Sequence, residues 1–175
     1  MIERTEIRES VPDDWDSIEL LYPDAFPDED LLPLVRELLQ KTPSVLSLVG
    51  VFESSLVGHV IFTRCRVAGG RDKVALLGPL AVASARQRKG IGTALVHAGF
   101  QRLENDQVAQ VYVLGDPDYY SRFGFKPETD VAPPYSLPAE WREAWQSISL
   151  LSAKPPQPGT LCLPQPWLQP ALWTP

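Results

Sequence analysis

The stretch Leu80-Ala81-Val82-Ala83-Ser84-Ala85-Arg86-Gln87-Arg88-Lys89-Gly90-Ile91-Gly92-Thr93-Ala94-Leu95 constrains this chain more than any other. An apolar run over residues 73–83 enters a basic, glycine-containing turn, and a helical pattern follows over 89–105. Ile91, Leu95 and Ala98 line one apolar stripe of that helix. Val96, Phe100 and Leu103 line an adjoining one, so the helix is expected to be largely buried against a sheet. Another apolar run at 108–114 comes next. Strand, helix, strand in this order predicts a parallel pair joined by a right-handed crossover.

Upstream, Glu6-Ile7-Arg8 alternates like a short first strand. Pro12 followed by Asp13, Asp14 and Asp16 marks a helix start, because proline is tolerated in a first turn and acids there suit the helix dipole. A second helix is expected over 29–41, where Leu31, Leu34, Val35, Leu38 and Leu39 keep helical spacing and Pro43 stops it. The runs 45–52 and 56–67, split by the turn Glu53-Ser54-Ser55, read as an antiparallel hairpin. Arg64 and Arg66 alternate with Cys65 and Val67, so the end of that second strand has one wet face. Gly78-Pro79 interrupts the next strand. Proline cannot donate to a ladder, so a bulge or a separation of neighbouring strands is expected there. The sheet as a whole is then mixed.

The chain has 175 residues, 44% apolar and 22% charged, enough for a single domain over 1–175 with a real core. A net charge of −6 weighs against nucleic-acid binding. No apolar stretch is long enough to span a bilayer, and the first residues lack the basic-then-apolar order of a secretory signal; a cytoplasmic protein is expected. Cys65 and Cys162 are expected to be two small buried thiols. No set of His, Cys and carboxylates has metal-ligand spacing, so no metal is expected. His97, inside the helix, is read as a packing or surface residue. Residues 127–175 carry 11 of the 18 prolines and are expected to pack on the same domain, with strands at 147–153 and 160–163. Trp167 and Trp173 are assigned to covering apolar surface.

The basic turn is physically suited to an anion. The first N–H groups of a helix have no intrahelical acceptor, and the helix dipole is positive at that end. Gly90 and Gly92 leave the backbone open, and Arg86, Arg88 and Lys89 add charge. A P-loop string is absent, and the third glycine of a dinucleotide fingerprint is Leu95 here. On spacing alone, an ordinary helix start with packing glycines and solvated charges stays open.

Gln87-x-x-Gly90-x-Gly92 resembles the [QR]-x-x-G-x-[GA] motif of the GNAT superfamily of N-acetyltransferases. Leu77-Gly78-Pro79-Leu80-Ala81-Val82 resembles the strand before that motif. Leu114-Gly115-Asp116-Pro117-Asp118-Tyr119-Tyr120-Ser121-Arg122-Phe123-Gly124-Phe125 resembles the distal Y-x-x-x-G-F motif. Together they look like the YhbS-like predicted acetyltransferases, over residues 7–127.

The resemblance implies a mixed, mostly antiparallel sheet with helices on both faces and a parallel pair, bearing Leu80 and Val113, that splays apart. It implies that acetyl-CoA lays its pyrophosphate on backbone N–H groups of Arg88, Lys89, Gly90, Ile91, Gly92 and Thr93, in the loop that Gln87 opens. The pantetheine arm would pair with Leu80, Ala81 and Val82. A neutral primary amine of a small molecule or protein would attack the thioester directly, and Tyr120 would be the general acid. Tyr119 is read as structural.

The chain also departs from the family pattern. Gly115-Asp116-Pro117 stands where many relatives have Asn, and residues 75–82 carry no carboxylate. His59, Asp116 and Glu53 are candidate bases, beside a water chain. Tyr135, Trp141 and Trp145 are assigned by chain position and aromatic content to the wall of an acceptor pocket. The expected partners are acetyl-CoA and an amine, in a monomer or homodimer. An acyl-CoA-binding module without turnover is the rival reading.

Overall fold

The computed structural model describes residues 4–151 and 155–174. Its strands and helices are β1 (Glu6–Glu9), α1 (Trp15–Ala25), α2 (Leu32–Lys41), β2 (Val45–Phe52), β3 (Ser55–Val67), β4 (Val74–Val82), α3 (Ile91–Asn105), β5 (Gln110–Leu114), α4 (Pro117–Tyr120), β6 (Lys126–Pro127), β7 (Val131–Ala132), β8 (Trp145–Ser149) and β9 (Gly159–Cys162). The pairing is mixed and mostly antiparallel. Contacts gather into two compact units, one built from the chain up to Phe62 with Pro79–Arg102, the other from Thr63–Gly78 with the chain from Leu103 onward. Both β3 and β4 run from one unit into the other. Among the described residues no helix is long and apolar enough to cross a membrane.

In the first unit β1 pairs antiparallel with β2, from Glu6 opposite Val51 to Glu9 opposite Leu48. β3 follows β2 through a two-residue turn, Glu53 and Ser54, with φ of 48° and 66°. Positive φ at both central residues gives the twist that a tight hairpin needs, although neither residue is a glycine. The helices bury one face each, with Ile18, Leu21 and Tyr22 on α1 and Leu34, Val35 and Leu38 on α2. The second helix starts at Leu32 rather than at 29. Pro33 stands in its first turn, where a missing N–H costs no helical bond. The third starts at Ile91 rather than at 89, because Arg88 and Gly90 are left-handed, with φ of 64° and 84°.

In the second unit the first half of β4 pairs in parallel with β5, from Val74 opposite Gln110 to Leu77 opposite Val113. This is the parallel pair expected from the strand–helix–strand order. β8 pairs antiparallel with β5 and with β6. β9 pairs with the end of β3 and with β7. The strand expected at 147–153 begins two residues earlier, at Trp145; residues 152–153 lie outside the described residues. The Trp145 ring stacks on Tyr112 of β5 at 5.7 Å, and that contact ties the earlier residues to the sheet.

One sequence expectation fails in this unit. Cys162 is exposed and Cys65 only half-buried; on β9, Cys162 and Thr160 share the outward face while Leu161 points in. Trp145, one of the three aromatic residues assigned to an acceptor-pocket wall, is buried, with its indole donating to the Val131 carbonyl at 2.7 Å. Trp167 and Trp173 are buried as expected.

Candidate functional site

The basic turn joins β4 to α3 within the first unit. After Val82 the chain makes one 3-10 turn, Ser84–Arg86, and Gln87 returns to extended backbone. Arg88 and Gly90 then take left-handed conformations, which reverse the chain and start α3 at Ile91. Gly90 supplies this shape without strain; Arg88 supplies it at a cost. Ala94 makes a helical bond to the Gly90 carbonyl at 3.0 Å. The N–H groups of Ile91, Gly92 and Thr93 belong to the first turn and have no acceptor within the helix.

Three contacts fix the turn. Asp24, near the end of α1, accepts from the Ser84 backbone N–H at 2.8 Å and from its hydroxyl at 2.7 Å. Those bonds hold the Asp24 carboxyl below its usual range. The Gln87 side chain donates to the Val82 carbonyl at 3.2 Å, closing the turn on the strand it left. The Arg86 guanidinium sits 4.3 Å from the centre of the Phe52 ring. Gln87, Arg88, Lys89 and Gly90 are exposed. A groove of about 460 Å³ runs beside them, lined by Arg4, Thr5, Glu6, Lys89, Gly90, Ile91 and Ala94. The arrangement presents dipole, backbone donors and cationic side chains at one point, which is the chemistry of an anion site. Leu80, Ala81 and Val82 end the strand that leads into it, with Ala81 buried and its two neighbours half-buried.

Tyr120 belongs to the second unit, at the end of the short helix α4. Asp116 caps that helix, accepting from the Asp118 N–H at 2.9 Å, and Pro117 follows in the first turn. The Tyr120 ring lies on the backbone of Gly115, where a Cβ would stand 2.4 Å from its Cε2. Tyr119 meets it edge-on at 5.0 Å and Phe125 at 5.7 Å. Burial pushes the Tyr120 phenol above its ordinary range, so it stays protonated at neutral pH. Gly124, at φ 101°, turns the chain so that Phe125 is buried.

The candidate bases separate on geometry. His59 is fully buried, with Nδ1 2.7 Å from the Tyr22 hydroxyl and Nε2 2.7 Å from the Ser47 hydroxyl. Burial pushes its pKa down to about 3. Both ring nitrogens are engaged, which makes it a connector of α1 and β2. Glu53 is an exposed turn residue, and Asp116 serves as a helix cap. His97 is exposed. The cap role of Asp116 was legible in Asp116-Pro117, since an Asx before a proline is a helix-start signal. The Asp24 tether was not, because it spans 60 residues.

The family model described as the acetyltransferase (GNAT) family matches residues 14–125. The chain is 36% identical over 135 residues to the Uncharacterized N-acetyltransferase YjhQ of Escherichia coli (strain K12), covering 73% of this chain and 72% of that protein. It is 32% identical over 136 residues to the Uncharacterized N-acetyltransferase YhbS of the same strain, covering 77% and 79%. Among solved structures, the GNAT family N-acetyltransferase YhbS from Escherichia coli in complex with CoA superposes with a TM-score of 0.83 at 26% identity, over 95% of this chain and 93% of that one. A GNAT family acetyltransferase from Brucella melitensis in complex with acetyl-CoA gives 0.75 at 26% identity, over 94% and 99%.

Proposed function

The chain belongs to the acetyltransferase (GNAT) family, and on that footing we propose that it moves an acetyl group from acetyl-CoA to a primary amine of a small molecule or protein. The observation that carries this reading is the turn at Arg88 and Gly90, whose left-handed backbone opens the amino end of α3 beside exposed cationic side chains. In this reading the pyrophosphate accepts from the N–H groups of Arg88, Lys89, Gly90, Ile91, Gly92 and Thr93. Gln87 acts at one remove, by tying the turn to Val82. The pantetheine arm pairs with Leu80, Ala81 and Val82 as an added strand.

The reaction balances without an acyl-enzyme. An alkylammonium with a pKa near 10.4 first gives up a proton to solvent. The free amine attacks the thioester carbon, the new C–N bond forms and the C–S bond breaks; the nitrogen then gives its second proton to solvent, and the Tyr120 phenol that protonates the sulfur is restored by a proton from solvent. Tyr120 donates its phenolic proton to the departing sulfur, as its protonated state at neutral pH allows. A thiol pKa of about 8.5 makes this help useful but modest.

Calorimetry of the folded protein with acetyl-CoA, ATP and NAD tests the proposal. Binding of acetyl-CoA alone is expected, and its failure to bind rejects the reading. A thiol-release screen across amines then separates a transferase from an acyl-CoA-binding module. With an active amine in hand, Tyr120→Phe should lower kcat roughly 10- to 100-fold while leaving acetyl-CoA affinity unchanged. Full activity of Tyr120→Phe at every pH removes the general-acid role.

A further inference from the structure

Trp167 lies in the proline-rich C-terminal region, yet its ring packs on β4. A Cβ built on Gly78 would stand 3.4 Å from Cη2 of Trp167 and 4.0 Å from Cζ2. Gly78 is the first residue after the last parallel pair, Leu77 opposite Val113. Its φ of 152° is one that L-residues avoid, and Pro79 next to it has no N–H to give a ladder. The strand therefore changes character at the residue the indole covers.

The indole itself is held. Its Nε1 donates to the Thr63 hydroxyl on β3 at 3.1 Å. The backbone carbonyl of Trp167 accepts from the Trp173 indole N–H at 3.0 Å. Trp173 meets Trp145 at 5.9 Å, and Trp145 stacks on Tyr112 of β5. An unbroken row of buried rings thus runs from β5 to Gly78 of β4. Pro164, Pro166 and Pro170 restrict the two 3-10 turns that carry Trp167 and Trp173.

We infer that Trp167 is a positioning residue for the acyl-CoA arm: its indole, braced by Thr63 and Trp173, sets the conformation of Gly78 from which the chain continues through Pro79 into Leu80, Ala81 and Val82. The inference rests on the proposed pairing of the pantetheine with those three residues. It gives the C-terminal region a part in cofactor binding without any contact to the cofactor.

The test uses two ligands that divide the site. Acetyl-CoA needs both the turn and the strand, whereas 3′-phosphoadenosine 5′-diphosphate carries the pyrophosphate but no pantetheine. Affinities are measured by calorimetry for wild type, Trp167→Leu, Trp167→Phe and Thr63→Val. Loss of the ring in Trp167→Leu should weaken acetyl-CoA about tenfold, the scale of one or two misaligned backbone hydrogen bonds. Trp167→Phe, which keeps a smaller ring but drops the indole N–H, and Thr63→Val, which keeps the indole but removes its acceptor, should weaken it about threefold on the same scale. The pantetheine-free ligand should bind all four proteins within about twofold, and the KM for acetyl-CoA should rise while that for the amine stays level. Equal weakening of both ligands, or no change in either, overturns the inference. If Trp167→Leu does not fold, the two milder variants decide by the same criterion. Wild type that binds neither ligand overturns the proposed function as well, and is distinguishable because no variant is then needed.

Discussion

The first unit uses hydrogen-bond donors in two opposite ways. At the β4–α3 turn, Arg88, Lys89 and Gly90 are exposed ahead of the first turn of α3. At His59 every polar atom is consumed inside, by Tyr22 on one side and Ser47 on the other, and Ser47 in turn accepts from Ser10 at 2.6 Å. The outward arrangement presents charge to solvent and adds little to stability. The inward one contributes to stability and leaves nothing for a ligand. Function and stability should therefore respond to different residues although both networks sit in the same unit.

The largest expected effect is on the inward network. His59→Ala removes a buried ring and strands the Tyr22 and Ser47 hydroxyls. The unfolding free energy should fall by about 3 kcal/mol, from cavity formation and unsatisfied polar groups. Denaturant titration measures this, and acetyl-CoA affinity of the remaining folded protein should hold within about twofold. A loss below about 1 kcal/mol would mean that the network is not the brace its geometry describes.

Acidification is next in size. His59 has a folded pKa of about 3 against roughly 6.5 in the unfolded chain. The folded state binds the proton more weakly, so this contribution is complete above about pH 6.5 and is lost as the pH falls, down to about 3. Between pH 7.5 and 5 the loss should reach about 2 kcal/mol. Asp14, held below its usual range by Arg8, adds its own loss only at more acid pH. Denaturation curves across this range should therefore slope for wild type and flatten for His59→Ala.

Much of this frame was legible in the sequence, and where it was not the reason is physical. β2 matches its expected bounds because a run dense in Val and Leu ends at a turn. α3 begins two residues late because periodicity does not report the left-handed backbone of Arg88 and Gly90. The tie from Trp167 to Thr63 spans 104 residues, and that from Tyr22 to His59 spans 37. No local pattern encodes such pairs, so His59 stood among the candidate bases and the partners of Trp167 were not readable. The motif residues were readable one by one, but the tether from Asp24 to Ser84 was visible only in three dimensions.

The outward network is probed by Arg88→Gly, which should move stability and binding in opposite directions. At φ 64° glycine removes the strain of an L-residue, and the unfolding free energy should rise by about 0.5–1 kcal/mol. Removing an exposed charge should weaken acetyl-CoA severalfold, and less so at high salt. If binding is unchanged at low salt, the Arg88 charge takes no part in the site.

The smallest effect supplies the control for that result. Ser54 has nearly the same backbone conformation as Arg88, φ 66°, but sits in the β2–β3 hairpin. Ser54→Gly places glycine at the second central position of a mirror-type turn, where it is favoured. Stability should rise by about 0.5 kcal/mol, the relief of one left-handed L-residue less the entropy glycine adds to the unfolded chain. Acetyl-CoA affinity should stay level at every salt concentration. Two substitutions that relieve the same strain would then share a stability gain and differ only in binding, which assigns the binding loss of Arg88→Gly to its charge rather than to backbone relaxation. If Ser54→Gly weakened acetyl-CoA as well, strain relief would account for both, and the division between outward and inward donors would not hold.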